Sequence, residues 1–280
     1  MDRASYLESI RRDAADLFSA ATPALAADVP TCPGWTVERL VGHVGRIYRW
    51  TAGWITTGAA AEVERPPTGD AVVTWARAGL DELVAALDTG DAGAGGRPGT
   101  DDSGAGGRPG TDDSDAGGRP GTDDSGAGGG SGGPVMVATW AGQQPAIFWP
   151  RRMAIETALH RWDAQAARGD AAPVSTPLAL DAIDELFEVI LPWRGTVDVA
   201  PEGTTVHLHA TDVDGGAGEW LVTFVSAGIA VEHAHAKGDL AVRGTASDLL
   251  LLLWNRIGPE RCEVFGDAGL LERWRAEIAL

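Results

Sequence analysis

Three side chains in this sequence have the types and the spacing of a metal site. Glu156 and His160 are four residues apart, and His43 lies far upstream. In a helix, residues at this spacing project from the same face one turn apart, so the carboxylate and the imidazole would point together. If the helix around His43 packs antiparallel to that helix, its imidazole can join them. Two histidines and one glutamate leave a fourth position open, which is typical of catalytic zinc.

The spacing alone is also compatible with an ordinary helix. Glutamate and histidine at this spacing often form a surface ion pair, and His43 can be a histidine at the edge of a helical core. A catalytic metal site would need the surrounding helices to bring all three side chains to one place.

Helical periodicity predicts four helices that would position these side chains. Apolar residues recur at helical spacing in the first three, and Thr36 is predicted as the N-cap of the second. Pro150 suits the first turn of the fourth helix, and Gly169 its end. The predicted helices cover about residues 5–21, 36–48, 75–87 and 150–168. Together they predict an antiparallel four-helix bundle over residues 1–170.

A glycine-rich repeat interrupts the predicted bundle. Residues 91–133 contain three copies of a ten-residue sequence, which begin at Ala94, Ala105 and Ala116. The segment has no aromatic or large aliphatic residue, so it cannot bury enough apolar surface to offset the loss of chain entropy. We therefore expect a disordered insert between two helices of the bundle.

The pattern changes after Pro173. Apolar residues at helical spacing predict a helix over 176–190, and strict alternation then predicts strands. The predicted strands are 205–211, 220–224, 229–234 and 240–243, and the predicted helices that follow are 247–255 and 268–279. Residues 171–280 are therefore expected to form a second, smaller α+β domain, which makes the fold class of the whole chain α+β.

Charge and cysteine content exclude several classes of protein. The formal net charge of −18 at pH 7 argues against a nucleic-acid partner. No uninterrupted apolar stretch reaches 18 residues, so no membrane span is expected. The two cysteines, Cys32 and Cys262, are far apart and offer no disulfide framework. We expect a cytoplasmic protein, a monomer or small homo-oligomer, that acts on small molecules.

Five further side chains have two interpretations each. Cys32 lies shortly before the second helix, where a helix N-terminus can lower the pKa of a thiol, but it can equally be a buried packing residue. His207 and His209 share one face of a predicted strand, as do His233 and His235. A second metal site is conceivable if those strands pair, although solvent-facing strand histidines are more common.

Two motifs in the predicted bundle resemble the mycothiol-dependent maleylpyruvate isomerase family. The first is CPGWTV at 32–37 followed by LVGH at 40–43, and the second is RRMAIETALHRWDA at 151–164. Further along, GDLAVRG at 238–244 and DLLLLLWNR at 248–256 resemble the C-terminal domain of that family. The resemblance implies a DinB-like metal-binding four-helix bundle followed by a sterol-carrier-protein-like domain.

The resemblance also implies a set of site residues. The zinc ligands of the family fall on His43, Glu156 and His160, although such a set would also suit another divalent metal. The family uses an arginine of the C-terminal domain near its active site, for which Arg256 is the first candidate and Arg243 the second.

The reaction implied by the resemblance depends on mycothiol as a thiol cosubstrate. Zinc lowers the pKa of the thiol, and the thiolate adds to a conjugated double bond, which permits rotation before elimination. An arginine would hold the carboxylate of the substrate. Two alternatives stay open: a thiol S-transferase that uses the same site, and a non-catalytic small-molecule-binding protein with a structural metal.

Overall fold

The computed structural model describes residues 1–89, 135–195, 199–214 and 216–277. The repeat segment 91–133, for which the sequence predicts disorder, lies outside these residues. Within them the chain combines a helical bundle with a β-sheet that is covered by helices. The predicted α+β fold class is therefore confirmed.

The bundle consists of long helices whose ends follow local sequence signals. The Asp2 side chain accepts the N–H of Ser5 at 2.9 Å, and the Thr36 side chain accepts the N–H of Arg39 at 3.3 Å. Gly58 follows the second helix with a φ of 74°, a conformation that favours glycine. The helices are α1 (Arg3–Ala21), α2 (Val37–Thr57), α3 (Ala71–Thr89) and α4 (Phe148–Ala166).

Helices α2 and α4, which carry the predicted metal ligands, run antiparallel. The hydroxyls of Tyr48 and Thr157 are 3.0 Å apart, and the hydroxyl of Thr51 lies 3.3 Å from the sulfur of Met153. A later residue of α2 thus meets an earlier residue of α4. This is the relative direction that the predicted site requires.

Helices α2 and α3 run in the same direction, although they are consecutive in the chain. Segment 58–70 returns to the start of α2, where the N–H of Gly69 donates to Glu38 at 2.6 Å. Further along both helices, Arg49 pairs with Glu82 at 3.2 Å. The predicted antiparallel arrangement is therefore wrong for this pair, because segment 58–70 returns to the start of α2 before α3 begins.

A short hairpin precedes α4 and was not predicted from the sequence. Its strands, β1 (Met136–Thr139) and β2 (Gly142–Pro145), pair antiparallel. The turn brings Trp140 within 5.7 Å of Phe148 and 4.6 Å of Trp193, measured between ring centroids. The hairpin thereby supplies an aromatic side chain beside α4.

A five-stranded sheet forms the second part of the structure. Its strands are β3 (Thr205–Ala210), β4 (Glu219–Val225), β5 (Gly228–Glu232), β6 (Leu240–Gly244) and β7 (Glu263–Gly266), in the spatial order β5-β4-β3-β6-β7. Only β3 and β6 are parallel neighbours within this sheet. Trp220, Val222 and Phe224 are buried on one face, as the alternation predicts.

Helices cover the apolar face of this sheet and connect it to the bundle. α5 packs against both α4 and α7, and α7 and α8 contact β6. The elements are α5 (Thr176–Glu185), a π-helical segment (Leu186–Ile190), α6 (Leu191–Arg194), α7 (Ala246–Leu253), a 3₁₀ turn (Pro259–Arg261) and α8 (Ala268–Glu277). In the described parts of the chain, no helix has both the length and the apolar character needed to cross a bilayer.

Candidate metal centre and its cleft

The antiparallel pair α2 and α4 brings the three predicted ligands together. Nε2 of His43 lies 3.4 Å from Oε1 of Glu156, and Nε2 of His160 lies 3.1 Å from the same oxygen. The three ligand atoms are all within 4.8 Å of one another. Two imidazole nitrogens and a carboxylate oxygen at this separation can surround one divalent cation.

Packing fixes the orientation of the His43 ring. Its centroid lies 5.1 Å from that of Trp35 and 5.1 Å from that of His160, with edge-to-face geometry in both cases. Trp35 directly precedes the N-cap of α2, so the turn that begins the helix also supports the histidine about two turns later. The sequence thus couples the start of α2 to the position of a candidate ligand.

A chain of buried polar contacts orients His160. Its Nδ1 lies 2.9 Å from Asp163, one turn later on α4. Asp163 also accepts the hydroxyl of Thr31 at 2.6 Å and is paired with Arg256 at 3.2 Å. An imidazole that donates through Nδ1 presents the lone pair of Nε2 to a metal, which is the usual support for a metal-binding histidine.

Arg152 holds the candidate carboxylate ligand. It donates to Oε2 of Glu156 at 2.8 Å, which leaves Oε1 facing the two histidines. Its other terminal nitrogen contacts Glu185, which is fully buried on α5. No role was predicted for Arg152 from the sequence, although its spacing of four residues from Glu156 was a usable signal.

Burial and the neighbouring charges give the two histidines different protonation states. Burial lowers the pKa of His43, so that its ring stays neutral. Burial also disfavours the charged form of His160, but the nearby carboxylates of Glu156 and Asp163 outweigh it and raise its pKa to about 9. In the absence of a cation, His160 therefore carries the positive charge that offsets these carboxylates.

The two carboxylates themselves stay ionised despite their burial. Burial opposes this, but His160 and its hydrogen bonds hold the pKa of Glu156 well below its usual range. For Asp163 the charge of Arg256 is the main opposing effect, and its pKa falls to about 2. The donor set thus offers a cation a permanent negative charge.

A cleft of about 400 Å³ opens over the three ligands. Its walls come from α2, α4, the hairpin, α6 and the residues after α7, and they are mostly apolar. The tryptophans in the wall are Trp35, Trp50, Trp140, Trp193 and Trp254. An apolar cleft with a few convergent polar groups is the usual form of a small-molecule site.

The structure separates the two predicted arginines. Arg256 lines the cleft and is buried beside Asp163. Arg243 lies on β6 and pairs with Glu263 at 3.0 Å on the exposed edge of the sheet, outside the cleft lining. Of these two arginines, Arg256 alone can therefore contact a molecule in this cleft directly.

Cys32 also lines the cleft, with its sulfur 4.0 Å from Asp163. Burial and the negative charge of Asp163 raise the pKa of its thiol to about 11. Of the two interpretations of Cys32, the buried packing residue agrees with the structure and the lowered pKa does not, because burial and the charge of Asp163 outweigh the opposing charge of Arg256.

Comparison with known proteins gives matches to one family. The model of the mycothiol maleylpyruvate isomerase N-terminal domain matches residues 7–111, and the model of the corresponding C-terminal domain matches residues 177–273. Together the two matches cover more than half of the chain. No curated protein matches the sequence.

Two solved structures share the fold. A crystal structure of the mycothiol-dependent maleylpyruvate isomerase is 14% identical, with a TM-score of 0.55, and the match covers 94% of this chain and 93% of that one. A crystal structure of a histidine-to-alanine mutant of the mycothiol-dependent maleylpyruvate isomerase is 13% identical, with a TM-score of 0.54 and the same coverage. At these identities the likeness shows the arrangement of the elements alone.

Proposed function

Because this chain belongs to the mycothiol-dependent maleylpyruvate isomerase family, we propose that it is a metal- and thiol-dependent isomerase of a small electrophilic substrate. Mycothiol is the proposed thiol cosubstrate, and zinc or another divalent metal the proposed cofactor. The observation that carries the proposal is the meeting of His43, Glu156 and His160 beneath an apolar cleft.

The donor set fits a catalytic metal better than a structural one. His43, Glu156 and His160 would hold the ion, and three protein ligands leave a position open toward the cleft. A metal bound there would lower the pKa of a thiol that enters the cleft. Because the pKa of Cys32 is raised, the thiol supplied from outside is the better nucleophile.

The other polar residues of the cleft have supporting roles in this proposal. Arg152 and Asp163 keep Glu156 and His160 aimed at the ion. Arg256 makes three hydrogen bonds, two to Asp163 and one to the carbonyl of Trp254. A guanidinium has five N–H groups, so two remain for the carboxylate of a substrate. Arg243, which lies outside the cleft lining and pairs with Glu263, has no role in this proposal.

The test is metal content measured together with isomerisation. Purified protein is loaded with zinc, and turnover of maleylpyruvate is followed with and without mycothiol. We expect close to one equivalent of metal in the cleft per chain and thiol-dependent turnover. His43→Ala and His160→Ala should each lose turnover and bind one metal fewer than the unaltered chain, while His233→Ala, a histidine outside the cleft lining, should keep turnover and the full metal content. Failure of the unaltered protein to bind zinc would contradict the proposal.

The same experiment separates the two alternatives. An isomerase regenerates mycothiol, whereas a thiol S-transferase on this site would consume one thiol per product. The carbon–sulfur adduct would then accumulate and be visible by mass spectrometry. A metal that is retained without any thiol binding would instead favour the small-molecule-binding protein with a structural metal. The cytoplasmic location and the monomeric or small homo-oligomeric state stay predictions from the sequence.

A further inference from the structure

We propose a second divalent-metal site on the C-terminal sheet, formed by His207, Glu219 and His235. It lies outside the cleft and shares no residue with it. It does not depend on the proposed function, because it would bind its ion whether or not the cleft is catalytic.

The pairing of β3 with β4, together with the irregular segment that follows β5, brings these three side chains together. His209 of β3 lies directly opposite Glu219 of β4, so His207, two residues earlier, faces the same side of the sheet. His235 follows β5 in an irregular segment that passes over the same face. Nε2 of His207 is 3.0 Å from Oε2 of Glu219, and Nδ1 of His235 is 2.5 Å from the same oxygen.

The donor set is that of a transition metal. The three ligand atoms lie within 4.8 Å of one another, and ligands about 2.0–2.1 Å from zinc in a tetrahedral site are separated by about 3.3 Å. His207 is buried, Glu219 is half-buried and His235 is exposed, so one ligand can adjust to the ion while the other two are fixed by the sheet. Solvent on the side of His235 leaves room for water to complete the coordination.

The neighbouring groups are compatible with a cation. The ring of His209 lies 6.1 Å from that of His207 and 6.2 Å from that of His235, so a third imidazole borders the site. Arg243, the cross-strand neighbour of His209, forms an ion pair with Glu263 at 3.0 Å. An ion bound here would join β3, β4 and the segment after β5, and would thereby stabilise the sheet.

His233 provides a matched control. It lies two residues from His235, but its Nε2 is 3.3 Å from Asp184 on α5, and its ring lies 5.8 Å from that of Trp220. The two histidines of this segment therefore have different partners. A change at His233 removes an imidazole from the same segment without removing a ligand of the proposed site.

The experiment measures binding of cobalt(II) and zinc to the full chain by calorimetry and by the visible absorption of bound cobalt. In the His43→Ala/His160→Ala variant, which lacks the cleft ligands, we expect one metal per chain. Adding His207→Ala or His235→Ala should weaken that binding at least about tenfold, since even supporting residues of metal sites change affinity by about 10–100-fold. Adding His233→Ala should leave it unchanged.

A second measurement covers the case in which the cleft variant does not fold. With the cleft intact, His207→Ala should bind one metal fewer per chain than the unaltered protein. The proposal is overturned if metal stoichiometry and affinity are the same with and without His207 and His235. It is equally overturned if His233→Ala weakens binding as much as they do, because that would indicate nonspecific binding to surface histidines.

Discussion

Asp163 and Arg256 join two distant parts of the sequence inside the protein. The Asp163 side chain is fully buried and that of Arg256 nearly so. Removing one member of a buried pair leaves the other charge without compensation, which costs about 3–5 kcal/mol. Because His160 still lies 2.9 Å from Asp163, Arg256→Ala is expected to lower the free energy of unfolding by at most about this amount, as measured by urea titration.

Arg243→Ala is the control for that change. Its pair with Glu263 is exposed, and exposed ion pairs contribute about 0–1 kcal/mol. If Arg256→Ala is no more destabilising than Arg243→Ala, the buried pair does not stabilise the protein as argued. Arg256→Lys keeps a charge and should restore part of the stability, but it should still raise KM if the guanidinium holds a substrate carboxylate.

The two cysteines are expected to react slowly with alkylating reagents. Burial raises the pKa of Cys32 and of Cys262 to about 11, from an ordinary value of 9.0. Because the thiolate is the reactive form, alkylation by iodoacetamide at pH 8 should be about a hundredfold slower than for an ordinary thiol. In the folded, metal-free protein the rate should keep rising about tenfold per pH unit up to pH 10.

The urea-unfolded protein is the control for this pH profile. Its thiols have ordinary pKa values, so their alkylation rate should level off near pH 9. Peptide mapping by mass spectrometry distinguishes the two cysteines. Rapid modification of Cys32 in the folded protein at pH 8 would mean that its thiol is activated, and would make it a competing nucleophile in the cleft.

The meeting of the three candidate metal ligands could be predicted from the sequence, whereas the contact between Asp163 and Arg256 could not. Glu156 and His160 share a helix face, so local geometry alone brings them together. Arg256 is 93 positions from Asp163, and no local pattern predicts such a contact. The second histidine cluster was only partly predicted, because it uses His207 and His235 from the two pairs and gives His233 a different partner.

At the level of elements, the contact between α2 and α3 depends on a glycine. A Cβ built on Gly45 would lie 2.6 Å from the Trp75 ring and 2.9 Å from the Cα of Ala76. Overpacking in Gly45→Ala is therefore expected to lower the free energy of unfolding by about 1–3 kcal/mol. The higher helix propensity of alanine should offset up to about 1 kcal/mol of this loss. Thermal and urea unfolding measure the change.

Gly269→Ala on α8 is the matched control. There the nearest atoms to an added Cβ are the ends of the Asp267 and Arg273 side chains, at 3.2 and 3.4 Å, which can move. We expect its effect to stay within about 1 kcal/mol. A Gly45→Ala variant as stable as the unaltered protein would show that α2 and α3 can separate without cost.

Elements with a visible period were predicted, including the five-residue strands β5 and β6, whereas the four-residue strands were not. Helices α1 to α3 and the alternating strands β3 and β4 bury one face each, so their period is visible in the sequence. Helix α4 is buried on nearly all sides and was predicted from Pro150 and Gly169 near its ends. Strands β1, β2 and β7 have four residues each and too few buried positions to show alternation. The shared direction of α2 and α3 was also missed, because it depends on where the crossover 58–70 packs and not on its composition.

On the scale of the whole molecule, the bundle and the sheet share their interior. Buried apolar residues from α1 to α8 belong to one continuous cluster within the described parts of the chain. Arg152 and Arg256 add buried polar links between the parts, to Glu185 and Asp163 respectively. The division at residues 170 and 171 stays a prediction about domains, and it does not correspond to a break in the core.

This shared core predicts that the chain unfolds as one cooperative unit. Separating the sheet from the bundle would expose the apolar surface between α4, α5 and α7 and open the cleft, whose walls come from both parts. Unfolding curves in urea should therefore coincide when followed by far-UV circular dichroism and by tryptophan fluorescence. Both parts contain tryptophans, such as Trp75 in the bundle and Trp220 in the sheet, so the fluorescence follows the unfolding of each part. Two separated transitions would show that the parts fold independently, and the cleft would then form only when they dock.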